Sequence, residues 1–151
     1  MTLQITSRSI RDTAKLAAQL AANLRGGEII ELKSDLGGGK TTFTKALVKA
    51  LGSTDHVSSP SFALSKEYTA KGLTIVHFDF YRLDNAIYVA DALAEAMQGD
   101  KIICVIEWGD IIVDILPEDR IVVAIQRVPH DEMSRNINIT APAQYVSGLS
   151  L

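Results

Sequence analysis

Cysteine, a basic excess and long apolar runs are all scarce in this chain of 151 residues. Its single cysteine, Cys104, has no partner for an internal disulfide. Set in the apolar run Ile102 to Ile106, it reads as a buried core thiol, and the expected compartment is reducing. Lys and Arg number 15 against 18 Asp and Glu, for a net charge of −3 and a pI near 5.6. That balance argues against a large basic face, so any work on RNA is expected to pass through a partner. No stretch approaches 18 apolar residues, and the opening MTLQITSRSIRD holds no apolar signal core. No membrane is therefore expected, and cytoplasm is the default. An N-K-x-D guanine-reading motif, internal repeats and low-complexity segments are likewise missing from the sequence.

What is present fits one soluble α/β domain over residues 1–151, with 47% hydrophobic and 22% charged residues. The tail after Ala141 is the one segment read as open to mobility. The most informative stretch is Ser34-Asp35-Leu36-Gly37-Gly38-Gly39-Lys40-Thr41-Thr42. Glycines at 37, 38 and 39 let successive backbone N–H groups turn toward phosphate oxygens. Lys40 carries charge toward the β and γ phosphates, and Thr41 offers a hydroxyl to Mg²⁺. The context agrees with a nucleotide-binding loop: Glu28 to Lys33 reads as a strand entering it, and Thr42 to Leu51 as a helix leaving it, capped by Gly52. That helix's N-terminus favours anions. Ser34 stands where the strict pattern begins with glycine; were φ positive there, serine would cost about 1 kcal/mol.

Elsewhere, Ile10, Ala14, Ala17, Ala21 and Leu24 recur at helical spacing, predicting a helix over Ser9 to Leu24 with Ser9 and Asp12 as a capping pair and Gly26-Gly27 after it. Phe62 to Thr69 and Leu73 to Asp79 read as an antiparallel hairpin around the three residues Ala70, Lys71 and Gly72. Asp84 is expected to cap a helix running to Met97. Lys101 to Glu107 is almost continuously apolar, as for a strand buried on both faces of a parallel sheet. Ile111 to Leu116 reads as a short helix or turn, and Arg120 to Arg127 with Arg135 to Thr140 as two last strands.

A phosphate loop needs a carboxylate at the end of an apolar strand, because Mg²⁺ takes hard oxygen donors and neutralises phosphate charge. Glu107 and Asp79 both fit; for each, the alternative is a strand-end carboxylate with an ordinary solvent-facing hydrogen bond. Glu107 is favoured for the metal because its strand is the more apolar, leaving Asp79 to orient water or support the metal indirectly. His77, two residues before Asp79, shares its face of the strand, and a structural hydrogen-bonding role is favoured over catalysis. Trp108 is read either as core or as an aromatic wall beside the nucleotide or a partner. Arg82 is read as phosphate-facing or merely solvated.

Four ordered motifs then resemble one family. Ser34 to Thr42 is similar to GDLGAGKTT, Ser59-Pro60-Ser61-Phe62 to SPTF, His77 to Leu83 (HFDFYRL) to HFDLYRL, and Ile106-Glu107-Trp108 to IEW. Together, over about Ile10 to Leu116, they resemble TsaE (also called YjeE), the bacterial ATPase of tRNA threonylcarbamoyladenosine biosynthesis. The resemblance implies a P-loop NTPase-like three-layer sandwich with a mixed, mostly parallel sheet and an antiparallel hairpin. It implies ATP and Mg²⁺ as cofactors and the TsaB–TsaD heterodimer as partner, whose turnover on tRNAs reading ANN codons it supports; tRNA is met only through that complex. Carried over by motif, Asp35, Leu36, Gly37, Gly38, Gly39, Lys40, Thr41 and Thr42 hold the nucleotide, and Thr41 and Glu107 the metal. Lys40, Asp79 and Glu107 form the catalytic set. Ser58 to Phe62 matches a switch-like loop sensing the γ-phosphate, Trp108 a region of activity and partner contact, and Thr13 a position near the nucleoside. Four residues depart from the family pattern: Ser34 for glycine, Gly38 for alanine, Ser61 for threonine and Gly109 for a frequent proline.

A small-molecule kinase is the competing reading, but between Tyr81 and Asp110 the only basic residues are Arg82 and Lys101, too few for a basic lid. An ATP-dependent assembly factor without hydrolysis of its own shades into the ATPase, because a partner can supply activating groups.

Overall fold

A computed structural model describes residues 1–60, 63–85 and 87–151. Its centre is a seven-stranded sheet in the order β1-β7-β6-β2-β5-β4-β3. The elements run β1 (Thr2–Ser7), α1 (Ile10–Ala22), β2 (Ile29–Lys33), α2 (Lys40–Ala50), β3 (Ser65–Ala70), β4 (Leu73–Asp79), α3 (Ile87–Met97) and β5 (Ile102–Glu107). A 3₁₀ segment (Gly109–Ile115), β6 (Ile121–Val128), β7 (Asp131–Thr140) and α4 (Ala143–Val146) follow.

The sheet is mixed, but not mostly parallel. Pairings β6–β2, β2–β5 and β5–β4 are parallel, whereas β1–β7, β7–β6 and β4–β3 are antiparallel. Short connections enforce the β7–β6 and β4–β3 pairings, because two strands joined by a tight turn can only run antiparallel. The two-residue link Pro129-His130 makes one hairpin, with His130 at φ 63°. The other is also tighter than the sequence predicts: Ala70 pairs with Leu73, leaving a two-residue loop in which Gly72 takes φ 73°. Within the described residues its first strand begins at Ser65; Ser61 and Phe62, where the sequence starts it, lie outside them.

Alternation along the strands sends side chains to two apolar layers. On one face, Leu16 and Leu20 of α1 and Phe43 and Leu47 of α2 pack on Ile30, Leu32, Val105 and Val123. On the other, Val89 and Leu93 of α3 and Ile112 pack on Phe78, Cys104 and Ile106. Cys104 is therefore the buried thiol its setting predicts, and burial pushes it up to about 11. The central strands β2 and β5 are covered on both faces, which explains their continuous apolar character.

Helix ends follow local chemistry. Ser9 Oγ accepts from Asp12 N–H at 3.1 Å at the start of α1, and Gly52, with φ 99°, follows α2. Just before α3, where the sequence places Asp84 as the cap, Asn85 Oδ1 accepts from Ile87 N–H at 2.9 Å. The tail after Ala141 is packed rather than loose. Val146 and Leu149 enter the first apolar layer, Asn23 donates to Tyr145 O at 3.1 Å, and the amide of Ser150 donates to Gln19 at 3.0 Å. Among the described residues no helix is long and apolar enough to cross a membrane.

Candidate functional site

The parallel strands β2, β5 and β4 end side by side at one edge of the sheet, where open α/β sheets place ligands. A cavity of about 570 Å³ opens there. Its lining includes Leu36 to Thr42 of the glycine loop, Ser59, Asp79, Tyr81, Arg82, Glu107 and Trp108. The chain thus brings together residues separated by some seventy positions in sequence, because β5 and β4 lie beside β2 in register: Leu32 pairs with Glu107, and Glu107 with Asp79.

The loop is shaped by its glycines. Gly37 and Gly39 take φ 70° and 123°, conformations that L side chains rarely adopt. α2 starts at Lys40, two residues before the sequence predicts, and no side chain caps it. Its first-turn N–H groups therefore face the cavity without a protein cap, which is the donor set an anion requires. Lys40, buried to 7% exposure, donates from Nζ to Ser34 O at 3.0 Å and Asp35 O at 3.2 Å. The same ammonium lies 4.6 Å from the Trp108 ring centroid. Asp35 contributes its single backbone carbonyl as an acceptor and is not part of the lining, and Thr41 and Thr42 stand on the first turn of α2 within it.

Ser34 carries no backbone strain: among the described residues the positive-φ residues other than glycine are Trp108 and His130. The concern raised by serine at this position is thus removed. Ser34 Oγ donates to Asp35 O at 2.8 Å and occupies the space that a Cβ on Gly38 would need.

The two acids differ in environment. Glu107 is buried, and its Oε1 lies 3.0 Å from Nε2 of the fully buried His77. His77 therefore has the hydrogen-bonding role expected of it, fixing the orientation of the carboxylate. Asp79 is half-buried, with Oδ2 accepting from Ser59 Oγ at 2.9 Å and Oδ1 from Tyr81 N–H at 3.0 Å. Ser58, one residue earlier, accepts from the Lys66 ammonium through its hydroxyl and from Tyr68 Oη through its carbonyl at 3.0 Å. The described part of the switch-like segment is thereby tied to the acid, while Ser61 and Phe62 lie outside the described residues. Burial, followed by the charges of Glu107 and Asp55, raises the Tyr68 phenol above its ordinary value.

Trp108 forms part of the wall. It sits at φ 57° and ψ 45°, in the left-handed region, and its ring lies 4.9 Å from that of Tyr81. Arg82 also lines the cavity and is exposed. Thr13 is not brought there: it is 4% exposed on α1, with its hydroxyl 2.7 Å from that of Ser7, and it is not part of the lining.

Three charged residues escape the sequence reading. Arg127 Nη2 lies 3.3 Å from both Leu36 O and Gly37 O, and Arg135 Nε donates to Gly38 O at 2.9 Å. Glu31 is fully buried on β2 and accepts from Arg120 Nε at 2.7 Å. Its Oε1, which makes no hydrogen bond among the described residues, sits 3.2 Å from Lys33 Nζ and beneath Gly109, where a Cβ would approach it to 2.9 Å. The one acid inside the otherwise apolar run Ile29 to Leu32 is a signal that could have marked Glu31.

Against known proteins, the profile of the family described as "Threonylcarbamoyl adenosine biosynthesis protein TsaE" matches residues 7–137. The chain belongs to the TsaE family. The TsaE of Bacillus subtilis is 38% identical over 130 residues, covering 86% of this chain and 80% of the relative. That of Aquifex aeolicus is 37% identical over 134 residues, covering 82% and 96%. Both are named tRNA threonylcarbamoyladenosine biosynthesis protein TsaE. A crystal structure of Bacillus subtilis YdiB superposes with a TM-score of 0.79 at 32% identity, over 96% of this chain and 89% of that one. The four motifs that carry the family resemblance all fall within the matched residues of this TsaE-family chain, and each contributes described residues to the cavity lining, the second through Ser59 and Pro60.

Proposed function

We propose that this TsaE-family protein is a Mg²⁺-dependent ATPase, a single domain over residues 1–151, that supports formation of threonylcarbamoyladenosine in tRNAs reading ANN codons. It acts on the TsaB–TsaD heterodimer in the cytoplasm and meets tRNA only through that complex. The observation that carries the reading is convergence: Lys40, Thr41, Asp79 and Glu107 line one cavity at the uncapped N-terminus of α2.

The residues fit ATP and Mg²⁺. Amides of the first turn and the Lys40 ammonium bind phosphate oxygens, and the Thr41 hydroxyl and Glu107 carboxylate are the oxygens for the metal. Among the described residues no group of three or more His, Cys, Asp and Glu is placed to cage an ion. Mg²⁺ shared with phosphates needs only one or two protein oxygens. When bound, the metal supplies charge neutralisation at the β and γ phosphates. Asp79, held by Ser59 and Tyr81, is the acid placed to orient an attacking water. Ser59 links that acid to the loop before β3, giving phosphate chemistry a route to a surface segment.

The test is Glu107→Gln in the assembled complex. ATP binding stays within about threefold while Mg²⁺-dependent hydrolysis falls by about a hundredfold. Unchanged hydrolysis would remove Glu107 from the metal site.

A further inference from the structure

Arg127 and Arg135 are direct partners in the register of β6 and β7, two cations side by side in a protein of net negative charge. Like charges placed opposite one another in a sheet repel. Among the described residues neither arginine makes a salt bridge to a carboxylate. Between them they reach three consecutive carbonyls of the glycine loop, at Leu36, Gly37 and Gly38, while Arg135 Nη1 donates to Glu132 O at 2.6 Å and Ser134 O at 2.7 Å on its own hairpin. The approach is close enough that a Cβ on Gly37 would meet Arg127 Nη2 at 2.9 Å. Arg135 is half-buried against the loop, whereas Arg127 is exposed.

A trans peptide is planar, with its C=O and the following N–H pointing in opposite directions. Guanidinium groups that hold three successive carbonyls outward therefore aim the following amides away from themselves, toward the cavity. Gly38 N–H is retained by Asp35 O at 3.0 Å, and among the described residues the amides of Gly37 and Gly39 have no backbone acceptor. Donation to a carbonyl also polarises its peptide and strengthens the N–H on the other side. The planar fork of arginine suits this task, reaching neighbouring oxygens from a fixed plane as an ammonium does not.

We propose that Arg127 and Arg135 are positioning residues that brace the phosphate loop from behind, fixing its amides in the anion-binding arrangement before nucleotide arrives. The C-terminal hairpin, which carries little family signature, is then a working part of the site. The proposal rests on the phosphate-cradle reading of Leu36 to Thr42 given above.

The experiment measures binding of ATP and of inorganic tripolyphosphate by calorimetry, together with exchange of the Gly38 amide in nucleotide-free protein. It compares wild type, Arg135→Ala, Arg135→Lys and Arg127→Ala. Bracing predicts that Arg135→Ala weakens both ligands in parallel by about tenfold and speeds Gly38 exchange. Arg135→Lys, which keeps the charge and loses the fork, recovers only part of that affinity. Arg127→Ala, at an exposed position that folding tolerates, gives a smaller loss of the same kind. Unchanged affinities, or full recovery with lysine, would overturn the brace in favour of no role or of charge alone. A loss confined to ATP would also overturn it, because the arginine would then be serving the nucleoside. Wild-type protein that binds neither ligand would sink the cradle reading itself, and the brace with it.

Discussion

Gly38→Ala is the perturbation whose outcome the loop geometry dictates most closely. Gly38 lies outside the positive-φ set, so its backbone conformation admits alanine. The obstacle is Ser34, whose Oγ fills the space of the new methyl, with Asp35 O and Ser34 Cβ each 3.0 Å away. Either the loop shifts or the serine rotates. Overpacking of this kind costs about 1–3 kcal/mol, and rotation forfeits the 2.8 Å hydrogen bond to Asp35 O, worth about 0.5–1.5 kcal/mol. Because the same loop carries the cradle, a distortion of about 1.4 kcal/mol lowers ATP affinity about tenfold. Ser34→Gly alone loses one exposed hydrogen bond and stays within about threefold of wild type. The double variant Ser34→Gly/Gly38→Ala removes the collision with Ser34, leaving only the tight Asp35 O contact at 3.0 Å, and returns to within about threefold, a coupling of about 1–2 kcal/mol between neighbours. Calorimetric titration with ATP across the four proteins closes the cycle. If Gly38→Ala binds normally, or if Ser34→Gly fails to rescue it, the steric coupling is wrong. Serine at 34 and glycine at 38 depart from the family pattern, with glycine and alanine there, and they do so as one mutually compatible pair.

Two further predictions concern charge and pH. Lys40→Ala removes the ammonium that reaches into the cradle, and at about 1.5–3 kcal/mol for a charged hydrogen bond, ATP affinity should fall ten- to a hundredfold; retained affinity in a fluorescent-nucleotide titration would contradict the cradle assignment. Cys104, pushed by burial from an ordinary 9 to about 11, is protonated and enclosed in the folded state, so Ellman's reagent at pH 8 should label it only after denaturant is added. The unfolded chain loses that proton near pH 9 and the folded chain near 11. The stability tied to the neutral thiol is therefore intact below 9 and declines by about 2–3 kcal/mol on rising to 11. Urea unfolding of Cys104→Ala, less stable at neutral pH from its cavity, should show a smaller decline over the same range, and parallel declines would refute the assignment.

How much was legible in the sequence follows from how local each signal is. Loop, strand β5 and the acid at its end could be read directly, because a glycine run before Lys-Thr and a continuous apolar strand each declare themselves within a few residues. β1 could not: TLQITS is a six-residue edge strand with one side in solvent, and it exists because β7 offers it a partner almost 140 residues away. The balance of parallel and antiparallel pairs was misread for the same reason, since β1 and the β6–β7 hairpin add their antiparallel pairings outside the central strands. Arg127 and Arg135 were invisible as site residues. Their reach to Leu36, Gly37 and Gly38 depends on the register β6 adopts beside β2 and β7 beside β6, and no spacing in the sequence encodes that. Thr13 shows the converse, a residue singled out by motif that the fold occupies with Ser7.

The central claim is partner-coupled ATP hydrolysis, and the most direct measurement is the rate of phosphate release by the purified protein, alone and with TsaB and TsaD from the same source, with Mg²⁺ and with EDTA. Slow hydrolysis alone that rises with both partners, and only when Mg²⁺ is present, is the predicted result. A rate indifferent to the partners, or to the metal, would contradict the account.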